Sequence, residues 1–257
     1  MELVTHSGNW LLLSIVGVIA GFIDAVVGGG GLLSIPALLT IGMPPHMALG
    51  TNKLAASFGS SMAAYTYYRQ QLLQPGLWRS SFAATTTGAL CGSILVYLVD
   101  TSWLEKLLPV LIMVIALYSL LSRKILEESP TSDNEKYPKR SRKILQGLIL
   151  GGYDGFAGPG IGAIWIVSSK ALHKLSFLKS CALSRAMTFA SNTTALTVFL
   201  LLGKVDIAIG LLLGLSMMLG SFVGAHSAIR FGLPFIRPLF ITVVIAMALH
   251  LTWSAWL

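Results

Sequence analysis

Residues 21–31 read GFIDAVVGGGG, and residues 151–161 read GGYDGFAGPGI. Laid over one another, the two stretches place Asp24 on Asp154 and set a glycine-rich break just after each carboxylate. Both breaks interrupt apolar sequence. A helix broken at membrane depth survives only where protein or a water-filled cavity satisfies the freed backbone groups. The likeness continues outward: GALCGS at 88–93 matches GSFVGA at 220–225, and LLPVL at 107–111 matches IRPLF at 236–240. The offset stays near about 130 residues throughout, which is the mark of an internal duplication.

Composition names the solvent. Of 257 residues, 54% are hydrophobic and 11% charged, whereas soluble domains carry about 25% charged residues. Mean hydropathy is +0.76. Candidate apolar segments run over 10–27, 31–42, 47–68, 80–99, 107–122, 144–157, 161–172, 180–202, 207–229 and 237–257. The one long polar stretch is RKILEESPTSDNEKYPKRSRK at 123–143. The chain therefore divides into an N-terminal transmembrane repeat (1–122), a linker (123–143) and a C-terminal transmembrane repeat (144–257). MELVTHSGNW lacks the basic start of a signal peptide, so the first apolar run reads as mature protein. Cys91 and Cys181 form no CxxC and read as small packing residues.

Charge orients the repeats. If each glycine-broken pair returns to its starting side, the loops at 69–79, 123–143, 170–179 and 230–237 share one face. That face holds fourteen of the 18 basic residues, while Lys106 and Lys204 lie opposite. The positive-inside rule favours this parity. It makes the halves inverted copies, with both termini outside and the linker cytoplasmic. Trp10, Trp103, Trp253 and Trp256 then suit the outer interface and Trp78 the inner one. The expected fold is all-α: a polytopic transmembrane bundle of two inverted-topology repeats with glycine-broken or re-entrant helices. The net charge of +8 sits at the ends of apolar runs and points to lipid headgroups, not nucleic acid.

Four charges remain inside apolar segments: Asp24, Lys53, Asp154 and Arg185. A charge at the bilayer centre costs about 2.5 kcal/mol or more, so such residues face a partner or a pathway. The expectation pairs them within each half, Asp24 with Lys53 and Asp154 with Arg185. In the functional reading, Lys53 and Arg185 attract an anion and helix N-termini after the breaks offer N–H groups at Gly29, Gly30, Gly158 and Gly160. Asn52, Asn192, Thr51 and Ser191 add neutral hydrogen bonds, and Asp24 and Asp154 act as charge partners or in coupling. The plainer alternative is two fixed buried ion pairs, and both can hold if substrate loosens them. His46 is expected at a turn, and His226 at a helix contact beside Gly224. Spacings of the GxxxG type at Gly17/Gly21, Gly88/Gly92 and Gly220/Gly224 mark close helix packing. The glycine runs lack the Lys-Ser/Thr of a phosphate loop, and no HExxH, Cys/His cluster or nucleophile elbow occurs. No catalytic residue, metal or cofactor is expected, and the chain does not read as an enzyme.

AGFIDAVVGGGGLLSIPALL (20–39), GMPPHMALGTNKLAAS (42–57), YDGFAGPGIGA (153–163) and ASNTTAL (190–196) together resemble the TauE/SafE sulfite exporter family. The resemblance covers nearly the whole chain. It implies a multi-pass inner-membrane permease that moves a small sulfur oxyanion, sulfite or an organosulfonate, driven by an ion or membrane gradient. By motif it carries over Asp24, Gly28 to Gly31, Asn52 and Lys53 in the first half. In the second half it carries over Asp154, Gly158, Pro159, Gly160 and Asn192. Arg185 stands where many members carry Lys, which keeps the charge and changes its geometry. The expected partners are a small anionic substrate, the lipid bilayer and a possible coupling proton or ion. The leading function is an anion exporter with alternating access; a passive channel, a non-transporting membrane subunit and a membrane-embedded enzyme remain as alternatives.

Overall fold

The computed structural model describes residues 7–121 and 139–256. Its elements, in order, are α1 (Ser7–Val27), α2 (Gly30–Thr40), α3 (Pro45–Arg69), a short 3₁₀ turn (Pro75–Trp78), α4 (Arg79–Tyr97) and α5 (Thr101–Leu121). Then come α6 (Arg140–Phe156), α7 (Ile161–His173), α8 (Phe177–Leu201) and α9 (Ile207–Trp256). Among the described residues no strand occurs. The expected linker lies outside them as far as residue 138, and residues 140–143 open α6.

The order repeats. A helix ending in a glycine break, a short helix and then a 25-residue helix occur in both halves (α1–α3 and α6–α8). α9 is one run that Gly232 breaks with φ 63 and ψ −157, a backbone conformation open to glycine and costly for other residues. Its two parts thus answer to α4 and α5. α2 has 11 residues and α7 has 13, or about 16 and 20 Å of helix, too short for a hydrocarbon core of about 30 Å. The broken pairs are therefore hairpins with a short second arm.

The halves interlock through small residues. A Cβ on Gly21 would run into the backbone of Met217, and one on Gly220 or Gly224 into Val18 or Phe22. In the other half, a Cβ on Gly151 would strike Thr85, and one on Gly88 or Gly92 would strike Leu148 or Gly152. So α1 packs on α9, and α6 packs on α4, side by side and pointing the same way. The first helix of each half lies on the fourth helix of the other. The three GxxxG spacings are thus contact surfaces, and Gly147, Gly151 and Gly155 of α6 form a further one that the sequence reading passed over.

The exterior is apolar. Leu211, Leu215, Leu219 and Phe222 make an exposed stripe on α9, as do Leu11, Ile15 and Ile19 on α1 and Leu145, Leu148 and Ile149 on α6. Soluble proteins rarely expose patches of this extent. Polar side chains turn inward instead: Ser57, Ser60, Thr85, Ser180, Ser184 and Thr188 are all buried. By length and apolar composition, Trp10–Val27 and Ile207–Gly232 can each cross a membrane.

Three expectations at the periphery change. Trp78 is buried, not at an interface, because the 3₁₀ turn tucks its ring against His173 (5.1 Å) and under the Lys143 ammonium. Cys91 is exposed while Cys181 is buried. His226 faces outward on α9 and bonds its own helix at Phe222 O (2.8 Å), so it makes no contact beside Gly224. His46 does sit at a helix start, bonded to Val96 O at 3.1 Å. The side chains of Trp253 and Trp256 lie outside the described ones.

Candidate functional site

The two glycine breaks meet. Gly28 and Gly158 share the same φ of +86, a conformation that only glycine adopts cheaply. A Cβ on Gly28 would collide with the Gly162 backbone, and one on Gly31 would lie 3.5 Å from Pro159 Cα. The tip of one hairpin is thus pressed against the tip of the other. Two helices, α3 and α8, flank this junction, and each brings a cation as its ninth residue: Lys53 on α3 and Arg185 on α8.

All four charges expected in the apolar interior are there, but they pair across the halves. Lys53 Nζ meets Asp154 Oδ1 at 2.7 Å, and Arg185 Nη1 meets Asp24 Oδ2 at 2.5 Å. The within-half pairing is therefore corrected. The physical reason is the exchange of packing: because α1 and α6 each lean on the opposite half, their carboxylates end beside the opposite half's cation. Lys53 does not reach toward the headgroups, since it is 1% exposed.

The two pairs share a plan and differ in detail. Lys53 Nζ also donates to the Asp154 carbonyl and to Asn192 Oδ1 (3.2 Å), and Ser191 Oγ donates to Asp154 Oδ2. Arg185 Nη2 donates to Ser184 Oγ at 2.8 Å, its Nε has no partner, and its guanidinium lies over the Gly162 backbone. Asp24 Oδ1 accepts from the Gly30 N–H at 3.1 Å, so the N-terminus of α2 is already capped by the chain's own carboxylate. Removing one member of such a buried pair costs about 3–5 kcal/mol, because the other charge is left uncompensated.

Between the pairs lies a cavity of about 20 Å³, on the scale of a water molecule or two. It is lined by Asp24, Asn52, Lys53, Asp154, Thr188 and Asn192, with Gly28, Gly31, Gly158, Gly160, Ala56 and Ile161 completing its walls. Of the residues singled out in the sequence, Arg185 stands behind Asp24 and does not line it. Thr51 points elsewhere, its Oγ1 accepting from the Asp206 N–H at 2.9 Å. Ser191 reaches the site only through Asp154, and Gly29 and Gly30 stand behind the wall. Asn52 is fixed by Ser34 Oγ at 2.5 Å. Thr188, Ala56 and Ser34 were missed. Thr188 had a signal: it sits one helical turn before Asn192, on the same face of α8.

A helical chain with an apolar outside and opposed interior charges around a small polar cavity has the build of a membrane-embedded transporter. The comparisons place it more narrowly. The profile of the family described as sulfite exporter TauE/SafE matches residues 13–251, and the chain belongs to that family. It is 35% identical to a "Probable membrane transporter protein" of Haemophilus influenzae, over 95% of this chain and 94% of that one. It is 36% identical to "Probable membrane transporter protein ORF9" of a Sinorhizobium species, over 91% and 88% of the two chains. "Probable membrane transporter protein YfcA" of Escherichia coli K12 is 34% identical, over 95% of this chain and 90% of its own. No solved structure matches the chain significantly.

Proposed function

We propose that this membrane transporter exports a small anion, sulfite or an organosulfonate, by alternating access between two inverted repeats. One observation carries the reading: crossed Lys–Asp and Arg–Asp pairs border a small cavity where two hairpin tips meet. In inverted-repeat transporters, broken helices meeting near the midplane build the substrate site. Lys53, Asn52 and Asn192 present donors to the anion in the cavity, with Thr188 beside them. Arg185 adds positive potential from behind Asp24. Gly158 and Gly160 let the backbone come close, and Ser191 and Thr51 hold the surrounding helices. The family's name, sulfite exporter, supports a sulfur oxyanion as cargo.

The cavity's small size supports a carrier that must rearrange to admit its anion over a standing open channel. To admit an anion, the Lys53–Asp154 pair must part and the hairpin tips must separate. The chain sits in the inner membrane with both termini outside and the basic linker in the cytoplasm, as the distribution of Lys and Arg favours. Purified protein in liposomes, offered sulfite, thiosulfate, sulfate, sulfoacetate and acetate, tests the reading. The expected result is saturable flux of one or more sulfur oxyanions, responding to an imposed ion gradient. Flux of none of them, or flux that ignores every gradient, contradicts it.

A further inference from the structure

Resting on the anion-transport reading, we infer that each anion travels with one proton and that Asp154, not its counterpart Asp24, carries it. The argument begins with charge. Lys53, Arg185, Asp24 and Asp154 sum to zero around the cavity. A monoanion bound there leaves the cluster one negative charge in excess, which a largely desolvated site disfavours. A proton taken up with the anion removes it.

The two carboxylates are not equivalent recipients. Of the two cations, Lys53 lines the cavity and Arg185 does not. An incoming anion therefore takes the Lys53 ammonium, a compact charge with rotatable donors on a flexible stem, and leaves the planar Arg185 fork in place. Asp24 keeps Arg185 Nη1 and the Gly30 N–H. Asp154 keeps only the Ser191 hydroxyl, with its side chain 2% exposed. Sequence reinforces the asymmetry. Counting from the ninth-residue cations, Asn52 of α3 answers to Ser184 of α8, and Asn192 of α8 answers to Ser60 of α3. The two cavity-lining amides thus have only serines as their counterparts, and Asn192 is bonded to Lys53. Ser191 answers to Gly59, so Asp24 has no equivalent hydroxyl donor.

The step balances simply. The anion replaces the Asp154 carboxylate at Lys53 Nζ, and the ammonium keeps its protons. A proton from water on the open side forms an O–H bond on Asp154. Release of the anion on the far side lets the proton leave and the ion pair close again. The titratable and charged groups around Asp154 are Lys53 from α3, Asp24 from α1 with Arg185 from α8 behind it, and Tyr153 on its own helix, bonded to Pro159 O at 2.8 Å. From α4, Ala89 and Gly92 pack against α6 here and carry no charge.

Proton uptake is measured by mixing the purified protein with the monoanions methanesulfonate, isethionate or, below pH 7, bisulfite in weak buffer, after subtracting the anion's own titration. Affinity is followed in parallel against pH. The expected result is about one proton taken up per anion, with affinity falling up to about tenfold per pH unit toward alkaline pH. Asp154→Asn binds without uptake and with affinity flat in pH, whereas Gly76→Ala, whose added Cβ meets nothing within 4 Å, retains uptake. Should Asp154→Asn not fold, Asp154→Glu shifts the midpoint of the pH dependence. Binding by wild type without uptake overturns the coupling, as does uptake that survives Asp154→Asn, or an unshifted midpoint in Asp154→Glu. If wild type binds none of these anions at any pH, the transport reading itself fails, which is a separate result.

Discussion

At the scale of single residues, the structure turns on which cation meets which carboxylate. Lys53→Ala leaves Asp154 buried with no cation, and thermal or denaturant unfolding should show a loss of about 3–5 kcal/mol. The double substitution Lys53→Met with Asp154→Asn removes both charges at similar volume. It should regain most of that stability and regain no transport, which separates the role of the pair in folding from its role in flux. Recovery of transport in the double variant would remove Lys53 from the site. The four interior charges were legible in the sequence, since they are what remains once each loop charge is assigned to a face. Their partners were not legible. Duplication places equivalent residues in equivalent positions, but whether Asp24 meets Lys53 or Arg185 depends on how the two halves pack. That packing is set by backbone contacts at glycines far along the chain from either charge.

At the scale of elements, the glycine breaks do two separate things. Gly28 and Gly158 hold positive φ, which costs a residue with a side chain about 1–2 kcal/mol. A Cβ at Gly28 also meets the Gly162 backbone, whereas one at Gly158 meets Asp154 Oδ1 and Lys53 Nζ. Gly28→Ala should therefore lower thermal stability and yield, by parting the hairpin tips. Gly158→Ala should cut flux further than its stability loss explains, because it intrudes on the ion pair. Gly76→Ala is the control: its Cβ meets nothing within 4 Å, and unfolding should change by less than about 0.5 kcal/mol. Equal behaviour of all three variants in a flux assay would contradict this division. The breaks themselves stood out in the sequence because glycine runs are rare inside apolar segments. The short second arms, α2 and α7, were legible as the segments 31–42 and 161–172, but that the two hairpin tips meet was not, because no local pattern names the partner of a glycine break.

At the scale of the whole molecule, the two halves are interlocked, each first helix seated on the fourth helix of the other half. Gly21→Leu and Gly151→Leu should each destabilise the protein strongly, since the backbones of Met217 and Thr85 stand where the new side chains begin. Unfolding of either variant at the wild-type temperature would contradict the packing. Orientation rests on charge, and cysteines placed at 130 and 205 test it in cells: the first should be shielded from an impermeant reagent and the second labelled. The all-helical class was legible from composition and segment length. The interlock was legible only in part, because GxxxG spacing announces a close contact and does not name the partner.

Counterflow of radiolabelled sulfite in proteoliposomes tests the central claim most directly. A carrier that occludes its anion between two crossed ion pairs should take up label faster when the lumen holds unlabelled sulfite, and should lose that acceleration in Lys53→Met/Asp154→Asn while Gly76→Ala keeps it. Uptake indifferent to the luminal anion, or acceleration undiminished without the Lys53–Asp154 pair, would contradict the account.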